Sequence, residues 1–321
     1  MISIHLENGR VEVRNRPRPR RKEGHALIRR LCAGICNTDL ELQRGYYNFN
    51  GTPGHEFVGE VIEAGRRELV GRRVVGDINL ECGRCEWCKR GLGRHCPNRT
   101  VLGIVKQPGC FSEFFTLPER NLHVVPDSIP DERAVFTEPV AAACEILDQV
   151  RIPKGALVAV LGDGKLGLLV AQVLHAHGAQ VKLFGRHPEK LAIAKRAGIA
   201  VSLKPSGLYD WVVEATGSPD GLVQAVRMTK PRGTLMLKST VHGTVALDTA
   251  PVVVNEITLV GSRCGRFEPA LKLLRSGKVS VDKMISARMP LSDAARGFEL
   301  AARKGTLKVL LENPPFNPTS G

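Results

Sequence analysis

The sequence contains no stretch of 18 apolar residues. Its longest apolar runs are broken by Asp163, Lys165 and Gln172, so no membrane span is expected. The first thirty residues are rich in arginine and lack the apolar segment that a secretory leader needs, so no export signal is expected either. Aromatic residues make up only 5%. None of them interrupts the basic run Arg14 to Lys22 (RNRPRPRRK), which therefore offers no platform for stacking bases. No internal repeat or low-complexity segment is found, and 43% hydrophobic with 24% charged residues excludes a disordered, collagen-like or coiled-coil chain.

What is present is a folded chain of 321 residues, long enough for two domains at about 150 residues each. Its net charge is +14, a balance that raises nucleic acid or an anionic ligand as partners. The basic residues outside the early run are scattered, so charge alone serves solubility and anionic substrates equally well. Of nine cysteines, four fall between Cys82 and Cys96. An odd total with such a cluster suits reduced thiols and metal better than disulfides. The expected location is the cytoplasm.

Two textures follow one another along the chain. Up to about residue 145 the sequence reads as short strands and loops, with turn signals at Asn8-Gly9, Pro53-Gly54, Pro108-Gly109 and Pro126-Asp127. From 156 strand and helix alternate. ALVAVL (156–161), QVKLF (180–184), DWVVEATG, GTLMLKS and EITLVGS read as strands; KLGLLVAQVLHAHG (165–178), PEKLAIAKRAG (188–198) and GLVQAVRMT read as helices. That alternation predicts a parallel, doubly wound α/β sheet. After 265 come two amphipathic helices, FEPALKLLRSG and LSDAARGFELAARKG, then the strand LKVLLE and a proline-rich tail.

Three sets of residues carry chemistry. Cys82, Cys85, Cys88 and Cys96 can close a tetrahedral thiolate shell around zinc with no vertex left for substrate, which makes a structural site; an iron–sulfur cluster is the alternative. Cys36, His55, Glu56 and Glu138 are dispersed. Together they supply one thiolate, one imidazole and two carboxylates, donors that a mixed-ligand metal site accepts, although spacing alone does not bring them together. The third set is GDGKLG, directly after one strand and opening the next helix. Gly162 allows the tight turn, Gly164 a close backbone approach to a pyrophosphate, and Gly167 close helix packing, with Lys165 and Leu166 completing the cofactor-binding turn. At the end of the next strand, where an acid would select NAD, stand Gly185 and Arg186. No carboxylate follows until Glu189, and Arg186 with Lys190 would meet a 2′-phosphate, so NADP(H) is expected over NAD(H). An aspartate placed at 185 is expected to reverse that choice.

These motifs, GICNTDL, GHEFVGEV, the four-cysteine lobe, TEPVA, VLGDGKLG, VVEATGS and GTLKVLLE, resemble in order those of the zinc-dependent medium-chain alcohol dehydrogenases, nearest the polyol, sugar and threonine branch. The resemblance spans nearly the whole chain. It implies a GroES-like catalytic domain over 1–145 with the zinc lobe at 82–96, a Rossmann domain over 146–266, and a return to the catalytic domain over 267–321. It also implies two zinc ions per chain, the catalytic one on Cys36, His55 and Glu138, with Glu56 able to exchange into its shell. Thr38 would hydrogen-bond the substrate oxygen, and Lys308 would approach the cofactor pyrophosphate. The implied reaction is hydride transfer between an alcohol and NAD(P), in a homodimer or homotetramer with a small alcohol or carbonyl substrate and neither nucleic acid nor membrane as partner. Glu41 stands where many relatives carry a relay histidine. Cys32, Cys110, Cys144 and Cys264 read as small apolar core residues. The competing readings are a zinc-ribbon nucleic-acid binder, which leaves the glycine motif unexplained, and a catalytically silent relative.

Overall fold

The computed structural model describes residues 1–240 and 244–313; the proline-rich tail lies outside them. Two compact units emerge, Met1–Glu138 with Ile285–Gly321, and Pro139–Met284. The second boundary falls at Met284 and not at 266. In the second unit Ser280 N–H donates to Gln172 Oε1 at 2.8 Å, and the helix Phe267–Arg275 buries Phe267, Ala270, Leu271 and Leu274.

In the first unit, Ile2–Glu7 and Arg10–Asn15 form an antiparallel hairpin. Asn8 and Gly9 turn it with positive φ (48° and 77°), as two-residue Asn-Gly hairpin loops do. The main sheet runs Leu122–Val124, Arg73–Gly76, Glu56–Glu63, His25–Gly34, Lys308–Glu312, Ile285–Pro290, with Phe114–Pro118 also paired to His25–Gly34. The C-terminal strand Lys308–Glu312 thus lies inside the sheet. Ile28, Phe57, Val61, Val74, Phe111, Phe115, Leu310 and Leu311 fill the interior, each worth about 1.5–3 kcal/mol of burial. The Phe57 and Phe115 rings meet edge-on at 4.8 Å.

The second unit has six strands: β1 (Leu157–Leu161), β2 (Gln180–Phe184), β3 (Ala200–Ser202), β4 (Tyr209–Glu214), β5 (Thr229–Leu237) and β6 (Thr258–Gly261). All pair in parallel, in the order 3-2-1-4-5-6. This is the order of a dinucleotide-binding Rossmann sheet. Helix α1 (Lys165–His177) follows β1, α2 (Pro188–Arg196) follows β2, and α3 (Pro219–Met228) follows β4. Gly178 ends α1 with φ 106°, a conformation that only glycine adopts without strain, which explains the clear stop signal in the sequence. Among the described residues no helix is long and apolar enough to cross a membrane.

Candidate active site

Cys36, His55 and Glu56 converge in the β-rich unit, with one donor atom of each within 4.8 Å of the others. Cys36 caps the helix Asn37–Gln43, and Glu56 opens the strand that follows His55. Asp39 joins these two segments. Its Oδ2 accepts from Cys36 N–H at 2.8 Å, its Oδ1 accepts from Gly54 N–H at 3.2 Å, and Oδ1 stands 3.4 Å from His55 Nδ1. Motif spacing does not single out Asp39; the signal available for it is an acid three residues after a helix cap. His55 Nδ1 is buried without a hydrogen-bond partner among the described residues. Burial acts to lower the imidazole pKa, yet Asp39 and Cys36 outweigh it and hold the group above its ordinary range. A donor set of half-buried sulfur with buried nitrogen and oxygen, of this anionic character, fits a divalent zinc ion.

Thr38 is half-buried beside the trio, its Oγ1 receiving the Cys36 thiol at 3.8 Å. Glu41 is paired with Arg44, the residue that caps the end of the same helix. Cys110 is fully buried, with its Sγ 3.8 Å from Glu56 O. Cys32 and Cys144 are buried too, whereas Cys264 is only half-buried.

Two further positions adjoin this set. Glu138, on the first turn of the helix Thr137–Gln149, is not among the three residues whose donor atoms stand within 4.8 Å of one another; Glu56, next to His55 in the chain, is. Burial, and then the charge of Glu56 against the counteracting His55, lifts the Glu138 carboxyl to about 7. Lys308 opens the last strand and is buried. Its Nζ is paired with Glu56 Oε2, and both side chains are closed to solvent. A Cβ at Gly34 would lie 2.8 Å from Glu56 Oε2 and 3.1 Å from Lys308 Cδ, so glycine makes the room for this pair.

The four-cysteine lobe assembles as the spacing predicts. Sγ–Sγ distances are 3.9 Å for Cys82–Cys88, 3.4 Å for Cys85–Cys88 and 3.7 Å for Cys85–Cys96. A tetrahedral zinc site with Zn–S near 2.3 Å has sulfurs about 3.8 Å apart, so the lobe fits zinc. Backbone N–H groups of Arg84 and Cys85 hold the Cys82 thiol below its ordinary pKa, toward the ligating thiolate.

In the Rossmann unit, GDGKLG links β1 to α1. A Cβ at Gly162 would lie 2.3 Å from Ala215 O, and one at Gly167 would lie 1.9 Å from Gly162 O, whereas at Gly164 it would meet nothing within 4 Å. The turn is therefore closed on two sides and open at Gly164, a cradle that fits a phosphate. Lys165 and Leu166 are half-buried on the first turn of α1. Arg186 is exposed after β2, but Lys190 is buried, because α2 turns it inward with Leu191 and Ala194. The structure also supplies a carboxylate at the end of β2 before Glu189. Asp163, from the glycine turn, reaches there and accepts from Arg186 N–H and His187 N–H at 2.8 and 2.7 Å. A Cβ at Gly185 would lie 2.4 Å from its Oδ2, so an aspartate at 185 has no room and cannot act as a simple switch of cofactor.

Three arginines of the basic run are engaged by neighbouring side chains. Arg14 pairs with Glu7 and Glu12, Arg16 donates to His5 at 2.9 Å, and Arg18 pairs with Glu63 over the Phe114 ring.

A β-rich unit carrying a four-thiol lobe and a mixed donor set, together with a Rossmann unit carrying a glycine turn, has the make-up of the dinucleotide-dependent oxidoreductases. Family models agree: residues 22–127 match the alcohol dehydrogenase GroES-like domain and residues 166–276 the zinc-binding dehydrogenase domain. A sorbitol dehydrogenase of Halalkalibacterium halodurans is 30% identical, with 97% of this chain and 98% of the relative covered. A zinc-binding dehydrogenase of Sinorhizobium meliloti 1021, solved with NADP, superposes with a TM-score of 0.90 at 30% identity over 97% of this chain and 98% of its own. A protein of Escherichia coli CFT073, described as a short chain alcohol dehydrogenase and solved with NADH, gives 0.89 at 26% identity over 97% and 99%. The chain belongs to the zinc-type medium-chain alcohol dehydrogenase family, in the branch of polyol, sugar and threonine dehydrogenases.

Proposed function

We propose that the protein oxidises, reversibly, a secondary alcohol of a polyol, sugar or hydroxy-amino acid to the carbonyl compound, with NADP(H) preferred over NAD(H). The observation that carries this reading is the convergence of Cys36, His55 and Glu56 in a chain whose relatives act on such substrates. Cys36 and His55 hold the catalytic zinc together with one carboxylate. His55 Nδ1 faces the Asp39 carboxylate at 3.4 Å, which leaves Nε2 as the nitrogen that would hold a metal. Glu138 is the carboxylate that gains most from a cation, since burial already lifts it to about 7 while Lys308 balances Glu56. Glu56 is its exchange partner in the shell. Zinc, when bound, supplies the Lewis acid that lowers the alcohol's pKa, and the nicotinamide supplies the hydride acceptor.

Thr38 accepts the proton of the substrate hydroxyl and hands it outward; Glu41, at the place of the relatives' relay histidine, is a partly exposed carboxylate paired with Arg44. Cys82, Cys85, Cys88 and Cys96 hold the structural zinc, giving two ions per chain. Gly162, Gly164, Lys165, Leu166 and Gly167 receive the pyrophosphate, and exposed Arg186 receives the 2′-phosphate. The chain assembles as a homodimer or homotetramer in the cytoplasm. The test is a screen of polyols, sugars, secondary alcohols and hydroxy-amino acids with both cofactors, followed by nicotinamide absorbance. Turnover of at least one class, lost in Cys36→Ser, supports the reading; no turnover with zinc-loaded protein overturns it.

A further inference from the structure

The second residue of the glycine motif does something that its position in the motif does not announce. Asp163 is 7% exposed. Its Oδ2 accepts both Arg186 N–H (2.8 Å) and His187 N–H (2.7 Å), and His187 Nδ1 lies 3.1 Å from each of its oxygens. The same carboxylate fills the space that a side chain at 185 would take. A Cβ there would come within 2.4 Å of Oδ2 and 2.5 Å of the Asp163 Cβ and Cγ. Gly185 itself is fixed from the other side, its N–H donating to Ser202 O at 3.1 Å. The turn Gly185–His187 is thus held between Asp163 and β3, with the exposed side chain of Arg186 projecting from it.

We infer that Asp163 is a positioning residue for the cofactor's adenosine end: it clamps the 185–187 turn so that Arg186 is presented to a 2′-phosphate, and it reserves position 185 for glycine. The inference rests on the reading that this unit binds NADP(H). Three donors already face the carboxylate, so its charge is directed into the turn and not outward to a ribose. A turn tied by two charge-assisted bonds keeps Arg186 in place before the ligand arrives, which lowers the ordering cost of binding. An aspartate that read the ribose directly would instead favour NAD and repel the phosphate, and the experiment separates these two roles.

The experiment is calorimetric titration of the purified, zinc-loaded protein with NADP+ and with NAD+. Asp163→Ala is expected to weaken NADP+ about tenfold and NAD+ less than about threefold, because only the phosphate depends on Arg186 being held. Asp163→Asn keeps an acceptor oxygen toward the two N–H groups and restores most of the NADP+ affinity; it serves as the second variant if the alanine protein does not fold. Gly185→Asp alone loses affinity for both cofactors, and adding Asp163→Gly to it, which removes the Asp163 Cβ as well as its carboxylate, recovers NAD+ binding by making room. Equal losses for the two cofactors in Asp163→Ala overturn the inference in favour of a purely structural role. Tighter NADP+ binding in that variant overturns it in favour of repulsion. A clean gain of NAD+ affinity in Gly185→Asp alone shows that Asp163 does not fill the position. If wild-type protein binds neither cofactor, the cofactor reading fails, whereas tight NADP+ binding with no change in the variants sinks the clamp alone.

Discussion

Lys308 Nζ and Glu56 Oε2 form an ion pair inside the β-rich unit, joining the last strand to the one that opens beside His55. Removing one member of a buried pair leaves a charge without a partner, at a cost of about 3–5 kcal/mol. Lys308→Met in zinc-free protein should therefore lower the denaturant midpoint clearly, and Glu56→Gln added to it should recover much of the loss. Equal midpoints for the single variant and the wild type would dismiss the pair as a stabilising contact.

The same pair fixes a pH dependence. Burial works against the Lys308 charge, but the Glu56 carboxylate, with Cys36, outweighs it and raises the ammonium pKa above its ordinary value. A raised folded pKa gives stability that is fully present below the unfolded value, about 10.4, and is lost as pH rises through the folded one. The penalty of Lys308→Met should be constant between roughly pH 6 and 9, and should shrink only in stronger alkali. Urea titrations at three pH values check this; a penalty that fades by pH 8 contradicts it.

Why Lys308 was legible only as a basic position is a matter of sequence distance. Its partner lies 252 residues away, and no period or spacing links them. Asp163 hides for another reason: any residue is allowed at that place in the glycine motif, and its contacts form only when β2 comes to lie beside β1. Lys190 follows α2's own period inward, against the expectation for a charged residue. The βαβ series, by contrast, is readable from local signals alone, because buried apolar strands, helix starts such as Pro188 and helix stops such as Gly178 recur in turn. The cysteine lobe is readable since all four thiols fall within one short segment, whereas Cys36, His55 and Glu56 come from segments that only the fold brings together.

Metal content separates the two donor sets. Freshly purified protein should hold two zinc ions per chain by elemental analysis, one lost in Cys36→Ser or His55→Ala together with turnover but not the fold. Glu138→Ala should weaken zinc retention and rate; full activity and full metal in that variant would hand the ligand role to Glu56. Stripping the second ion from Cys82, Cys85, Cys88 and Cys96 should unfold the lobe and open it to protease, since structural zinc binding is worth about 10–16 kcal/mol in isolated finger peptides. A lobe that resists protease after chelation contradicts this.

The proposed NADP preference makes Arg186 its test. Its guanidinium is exposed at the end of β2, while its own backbone N–H is tied to Asp163. A 2′-phosphate can accept a forked pair of hydrogen bonds from it, and charge-assisted bonds of this kind contribute about 1.5–3 kcal/mol, roughly ten- to hundredfold. Arg186→Ala should lower kcat/KM with NADP by that factor and leave the value with NAD nearly unchanged. Lys190, buried on α2, should contribute much less, so Lys190→Met should shift the NADP to NAD ratio by less than about threefold. Because the interaction is between exposed charges, the NADP preference should also shrink as salt rises from about 0.05 to 0.5 M. Initial rates with both cofactors across that salt range decide the matter: an unchanged ratio in Arg186→Ala, or a wild-type enzyme that favours NAD tenfold, would overturn the assignment.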